Sequence, residues 1–96
     1  MARHRLSELA EDDMLDIFLF GATQFGRNQA LAYQIELENC FAMLADHPRI
    51  GRSARALGYG IRRHEHASHV VLYREDEFGV LILAVVHGRN LRRLQL

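Results

Sequence analysis

Apolar and polar residues recur along this chain with two periods, and the change of period divides it. From residue 10 to residue 44 the apolar positions keep helical spacing. Ala10, Met14, Ile17 and Gly21 mark one face of a first helix; Ala30, Tyr33, Leu37, Cys40, Phe41 and Leu44 mark a second. Beyond residue 60 the spacing shortens to that of strands, in segments at about 60–65, 68–75 and 79–87. Residues 2–6, ARHRL, add a short N-terminal strand.

Local signals sharpen these boundaries. Ser7 is placed to cap the first helix, with Glu8, Glu11 and Asp12 at its positive end. Gly26 is the expected stop, Asn28 the expected cap of the second helix, and His47-Pro48 its end, because proline cannot continue the ladder. A few connecting residues make the two helices an antiparallel hairpin. Residues 49–60, RIGRSARALGYG, read as a basic loop, and EDEFG (75–79) as the turn of a β-hairpin.

Two stretches are too apolar for their elements. MLDIFLFGA (14–22) contains one polar residue, Asp16, so its helix is apolar nearly all round. In the last strand Leu81, Leu83, Val85 and His87 alternate with Val80, Ile82, Ala84 and Val86, and both sets are apolar. A strand with one solvated face should alternate apolar with polar. Both stretches are therefore expected to be covered in part by another chain.

Ninety-six residues suit one domain with a modest core. Arginines and acids balance at 12 each, but unevenly: residues 1–48 carry eight acids and three arginines, residues 49–96 nine arginines and four acids. The second half is the one suited to an anionic partner. Lysine is absent, so no mechanism can use one. The single cysteine, Cys40, cannot form an internal disulfide, and no apolar run is long enough to span a bilayer. A soluble cytoplasmic protein is expected.

RLSELAEDDMLDI (5–17), FGRNQALAY (25–33), HPRIGR (47–52), Gly60-Ile61-Arg62, SHVVLYR (68–74) and VVHGR (85–89), in this order, resemble the ParE branch of the RelE/ParE toxin superfamily. FGRNQALAY is similar to that family's Trp-Gly-x-x-Gln-Ala-x-x-Tyr, with Phe25 for the tryptophan. The resemblance implies one α+β domain over residues 1–96, of order β-α-α-β-β-β, with the N-terminal helix hairpin packed on a small antiparallel sheet. It also implies a bacterial toxin that binds DNA gyrase and is neutralised by a ParD-like antitoxin in a hetero-oligomer, without cofactor, membrane or direct sequence-specific nucleic-acid contact.

Candidate residues follow. The apolar side chains Met14, Phe18, Phe20, Leu81 and Leu83, with Arg49 and Arg52 of the basic loop, are the antitoxin-binding candidates. Arg89, Arg92 and Arg93 of the tail GRNLRRLQL are the target-binding candidates; Leu91 and Leu94 between them could seat a helical turn on the sheet. A RelE-like messenger-RNA nuclease is the runner-up, with His87 as acid or base and Arg62 and Arg89 as cations. Against it, lysine is missing and residues 88–96 offer no aromatic to stack a base. His87 then reads as a sheet-end histidine bonded to backbone, and Tyr73 as a packed ring. A third reading is a degenerate, non-toxic partner in a repressor complex. His64, His66 and His69 invite a metal, but Arg62 and Arg63 beside them repel cations and nothing completes a tetrahedral set. No metal is expected.

Overall fold

The structure, a computed structural model, describes residues 3–93, with side chains to residue 91. The order is β1 (Arg3–Leu6), α1 (Glu8–Phe25), α2 (Arg27–Asp46), β2 (Arg52–Ser53), a 3₁₀ turn (Arg55–Leu57), β3 (Arg62–His66), β4 (His69–Asp76), β5 (Gly79–His87) and α3 (Gly88–Arg93). The expected α+β architecture is present: a helix hairpin packed on an open sheet of order β1-β5-β4-β3-β2.

Ser7 caps α1 as expected, its hydroxyl accepting from Ala10 N–H at 3.0 Å. Asn28 does not cap α2. Gly26, at φ +93°, ends α1 by donating its N–H to Ala22 O and starts α2 by accepting from Ala30 N–H, both at 3.1 Å. A residue that reverses the chain alone leaves Asn28 inside the helix. α2 ends at Asp46, with His47 following it.

The sheet departs from expectation in three ways. β1 pairs with β5 in parallel, Arg3 opposite Gly79 through Leu6 opposite Ile82, while the remaining pairs are antiparallel. The basic loop contains β2, an edge strand of two residues paired to β3. A bulge also interrupts β5: Leu72 faces Ala84 and Tyr73 faces Ile82, so Leu83 is the extra residue. Strict alternation therefore fails. Val80, Ile82 and Val85 point together into the core beneath the helices, with Leu37, Phe41, Leu44, Val71 and Tyr73.

The opposite face holds a smaller cluster of Val70, Leu72, Ala84 and Leu91, with Leu57, Leu83 and Val86 against it. Leu91 is 2% exposed. The expectation that another chain covers this face is thus corrected at one end, where α3 and the 3₁₀ turn of the same chain lie over it. Leu94 falls outside the described residues.

Candidate interaction surfaces

Three surfaces carry the residues singled out above. The first is the helix layer. All eight acids of residues 1–48 lie on α1 or α2, and α1 also presents Leu15, Leu19 and Phe20 to solvent at 57, 52 and 65% exposure. Leu15 and Leu19 fall along one stripe because positions four apart stack on a helix, and Phe20 lies roughly 100° farther round the axis. Two depressions flank it. One, of about 490 Å³, has His4, Met14, Phe18 and Phe41 in its wall; the other, of about 510 Å³, has Ile17, Phe20, Phe25 and Tyr33. Met14 and Phe18 therefore serve one side of α1 and Phe20 the other.

The second is the outer face of the sheet. Register places Arg5, Leu81 and Arg74 in one cross-strand row, and Arg52, Arg63, Leu72 and Ala84 in another. The charge difference between the two halves of the sequence thus becomes a difference between layers, acidic helices over a sheet rich in arginine. Several of these arginines have partners. Arg5 pairs with Asp76 and its guanidinium lies 5.4 Å from the Phe78 ring centroid. Arg52 and Arg63 share Glu65, the latter at 2.8 Å, and Arg49 reaches Glu75 at 3.5 Å. Burial works to raise the Glu65 carboxyl, but the Arg52 and Arg63 bonds outweigh it and hold the group below its ordinary value. Leu81, Leu83 and Arg52 lie on this face, so a single segment reaching them and Met14, Phe18 or Phe20 must pass around the molecule.

The third surface is the end of the sheet where β5 meets α3. His66 pairs with His69, and His69 with His87, which sets three imidazoles in a row across β3, β4 and β5. The His69 and His87 rings meet edge-on, 5.6 Å between centroids. Tyr33 of α2 lies over the row, its hydroxyl 2.7 Å from His69 Nδ1. Burial, then the His87 and His66 charges, push the His69 imidazole below its ordinary value. His87 Nδ1 accepts the Arg89 N–H at 3.1 Å, the sheet-end backbone contact expected of it. Sequence reading did not find this row. The available signal was Ala67-Ser68, a two-residue turn that sets residues 66 and 69 opposite each other.

The nuclease trio is not assembled. Arg62 lies level with Tyr73 and Ile82 and donates to Gly51 O at 2.8 Å. His87 lies five residues farther along β5, roughly 16 Å away at strand rise, and two strands across. Arg89 is exposed beside His87; the side chains of Arg92 and Arg93 lie outside those described. Tyr73 is fully buried, donating to Pro48 O at 2.8 Å and accepting from Gly51 N–H at 2.9 Å. Among the described residues no three His, Cys, Asp or Glu side chains could hold a metal, and no helix is long and apolar enough to cross a membrane.

A helix hairpin carrying solvent-facing apolar side chains over an arginine-rich sheet defines a small α+β domain. Residues 5–92 match the family described as ParE toxin of type II toxin-antitoxin system, parDE, and the chain belongs to that family. It is 38% identical over 87 residues to Toxin ParE1 of Caulobacter vibrioides, covering 91% of this chain and 90% of the relative. Against Toxin ParE1 of Mycobacterium tuberculosis the identity is 30% over 89 residues, with 92% and 91% covered. A solved chain of the chromosomal ParDE TA system from P. aeruginosa shares the fold at a TM-score of 0.76 and 17% identity, covering 91% of this chain and 96% of that one.

Proposed function

We propose that this toxin stops growth by binding DNA gyrase, and that a ParD-like antitoxin neutralises it by covering the helix hairpin. The observation that carries the reading is the apolar surface of α1, where Leu15 and Leu19 in one stripe and Phe20 beside it stand in solvent on a domain of 96 residues. Large exposed apolar side chains flanked by depressions are what a partner's anchors bury. Met14 and Phe18 on one side of the stripe and Phe20 on the other are the hairpin contacts. Leu81, Leu83, Arg49 and Arg52 are the sheet contacts of a segment that continues around the molecule. Arg89, Arg92 and Arg93 remain for the target. The distance between Arg62 and His87 speaks for a binder over a nuclease, since acid–base chemistry needs its groups within hydrogen-bond reach of one phosphate. Action on gyrase places the protein in the bacterial cytoplasm.

The test expresses the chain without its antitoxin and follows DNA-damage signalling and messenger-RNA levels together. Gyrase poisoning predicts that damage signalling comes first; ribosome-dependent loss of messenger RNA at the outset would establish the nuclease instead. In vitro the chain alone should self-associate, and antitoxin at a hundred times its Kd should add about 2.7 kcal/mol of stability.

A further inference from the structure

The loop between β2 and β3 holds one aromatic ring almost entirely in water. Tyr59 is 91% exposed, the most of the large apolar side chains among the described residues. A lone apolar side chain at a surface is ordinary. What sets Tyr59 apart is the frame that holds it out. Gly58 O accepts the Ile61 N–H at 3.3 Å, closing a four-residue turn with Tyr59 second and Gly60 third. Gly60 stands at φ +77°, the left-handed value that the third position of a type II turn needs and glycine supplies. Three further main-chain bonds brace the same loop: Leu57 N–H to Ala54 O at 2.9 Å, Gly58 N–H to Arg55 O at 3.0 Å and Ala54 N–H to Ile61 O at 2.8 Å. The ring is thus presented on a turn already fixed, and little but its own side chain is left to order on contact.

The loop is also tied to the tail. Leu57 lies against the outer-face cluster of Val70, Leu72, Ala84 and Leu91, and Leu91 is the buried side chain of α3. One end of the outer face is therefore covered by two short elements of this chain that rest on the same cluster. They are the 3₁₀ turn, with Arg55 exposed, and α3, with Arg89 exposed. Neither arginine has an ion-pair partner among the described residues. Glu65, opposite Val70 on this side of the sheet, is held by Arg52 and Arg63. What this end presents to solvent is an aromatic tip and guanidinium forks.

We propose that Tyr59 is an anchor of the target-binding surface, seated in an apolar pocket of an acidic protein surface whose rim meets Arg55 and Arg89. The identity of that protein as gyrase rests on the reading above; its chemistry rests on the loop. Tyrosine and arginine are among the residues in which binding energy concentrates at interfaces. A protein fits better than a nucleic acid. Twelve arginines against twelve acids give the chain no net attraction for a polyphosphate, and one ring without others in series is a poor platform for stacked bases. The antitoxin contacts proposed above are apolar side chains of the hairpin and of β5. They do not need this end of the face, where the chain covers its own apolar cluster.

The test measures the affinity of the full chain for purified DNA gyrase holoenzyme and for its antitoxin, together with growth inhibition in cells. Because the ring stands in water, Tyr59→Ala should melt with the wild type, so that a loss reports binding and not folding. The expected result is a fall of about tenfold or more in gyrase affinity and in growth inhibition, the scale on which truncating an anchoring aromatic acts. Antitoxin affinity should not change, and Tyr59→Phe, which keeps the ring, should stay close to the wild type. Arg55→Glu should weaken the gyrase complex more than Arg55→Ala; a tighter complex would overturn the acidic rim. Wild-type affinity and toxicity in Tyr59→Ala overturn the anchor and leave the gyrase reading in place. A wild-type chain that does not bind gyrase overturns that reading, while loss of growth inhibition in Tyr59→Ala keeps the anchor for another target. Antitoxin affinity lost with toxicity kept would assign Tyr59 to the antitoxin and overturn the proposal, as would Tyr59-dependent binding of a single-stranded oligonucleotide without gyrase.

Discussion

Asp13 of α1 accepts the main-chain N–H of Val85 in β5 at 2.9 Å, a bond from the helix layer into the sheet. It exists because β1 is short. β1 accompanies β5 only as far as Ile82. From there Ser7 takes over, its N–H donating to Ile82 O and its hydroxyl to Leu83 O, both at 2.9 Å. Asp13 then serves Val85, three residues beyond Ile82. Polar side chains of the first turns of α1 thus stand in for the missing continuation of β1, and they fix the helix above the bulge at Leu83.

Burial raises the Asp13 carboxyl above its ordinary value, more than the Val85 bond lowers it. The charge is therefore a cost and the acceptor oxygen the benefit. Asp13→Ala, which orphans the Val85 N–H, should destabilise by about 1–3 kcal/mol. Asp13→Asn keeps an acceptor, drops the charge, and should melt close to the wild type at pH 7. Thermal denaturation of the two variants side by side checks this; equal losses would mean that the charge itself is what matters.

Tyr73 ties the basic loop to the core. Its hydroxyl bridges Pro48 O and Gly51 N–H while its ring is fully buried. Tyr73→Phe keeps the ring and strands both backbone groups. A loss of about 1–3 kcal/mol is expected, a fall in Tm on the order of 10 °C for a domain of this size. Amide exchange at Gly51 should quicken more than at Val71. A wild-type melting temperature would show that the loop holds without the bridge.

Local chemistry made part of this legible in advance. The Ser7 cap, the Gly26 stop, the His47-Pro48 end and the 79–87 strand all depend on residues next to one another, and they were readable. What was hidden depends on residues brought together by folding. The parallel pairing of β1 with β5 is a tertiary choice that ARHRL does not record. Two residues of β2 are too few to show a period inside a glycine-rich loop. The bulge at Leu83 shifts Val85 to the face of Ile82, which strict alternation cannot anticipate. The histidine row needs the register of three strands at once. Of the candidates, the outer-face leucines and the hairpin aromatics stand out in the sequence by their apolarity alone, and only the fold shows that they lie on opposite layers.

The histidine row makes the free chain sensitive to acid. His69 prefers its neutral form in the fold, first through burial and then through the charges of His87 and His66. Its folded value lies below the unfolded 6.5, so the unfolded chain binds the proton more readily. The stabilisation from keeping His69 neutral is complete above pH 6.5 and is lost as pH falls below it. Urea midpoints at pH 7.5 and pH 5.5 should therefore differ more in the wild type than in His69→Gln, with unchanged m-values. A His69→Gln variant as acid-sensitive as the wild type would place the titration elsewhere.

The tail tests which surface meets the target. Leu91 is buried against Val70, Leu72 and Ala84, so α3 is seated on the sheet and Arg89 projects from its exposed side. Arg92 and Arg93 follow it in sequence. Guanidinium forks held on a fixed turn suit a carboxylate or phosphate of the target. The antitoxin, by contrast, should draw its affinity from the apolar stripe of α1, because buried anchors dominate interfaces and rim charges add little. Replacing Arg89, Arg92 and Arg93 together by alanine should then reduce growth inhibition at least tenfold while weakening antitoxin binding far less. Leu91→Ala is the control for seating. It should cost about 2–3 kcal/mol of stability through the cavity it opens, which separates loss of the helix from loss of its charges. Growth inhibition in cells and antitoxin affinity in vitro, measured on the same triple variant, decide the matter: a collapse of affinity with toxicity preserved would exchange the two surfaces.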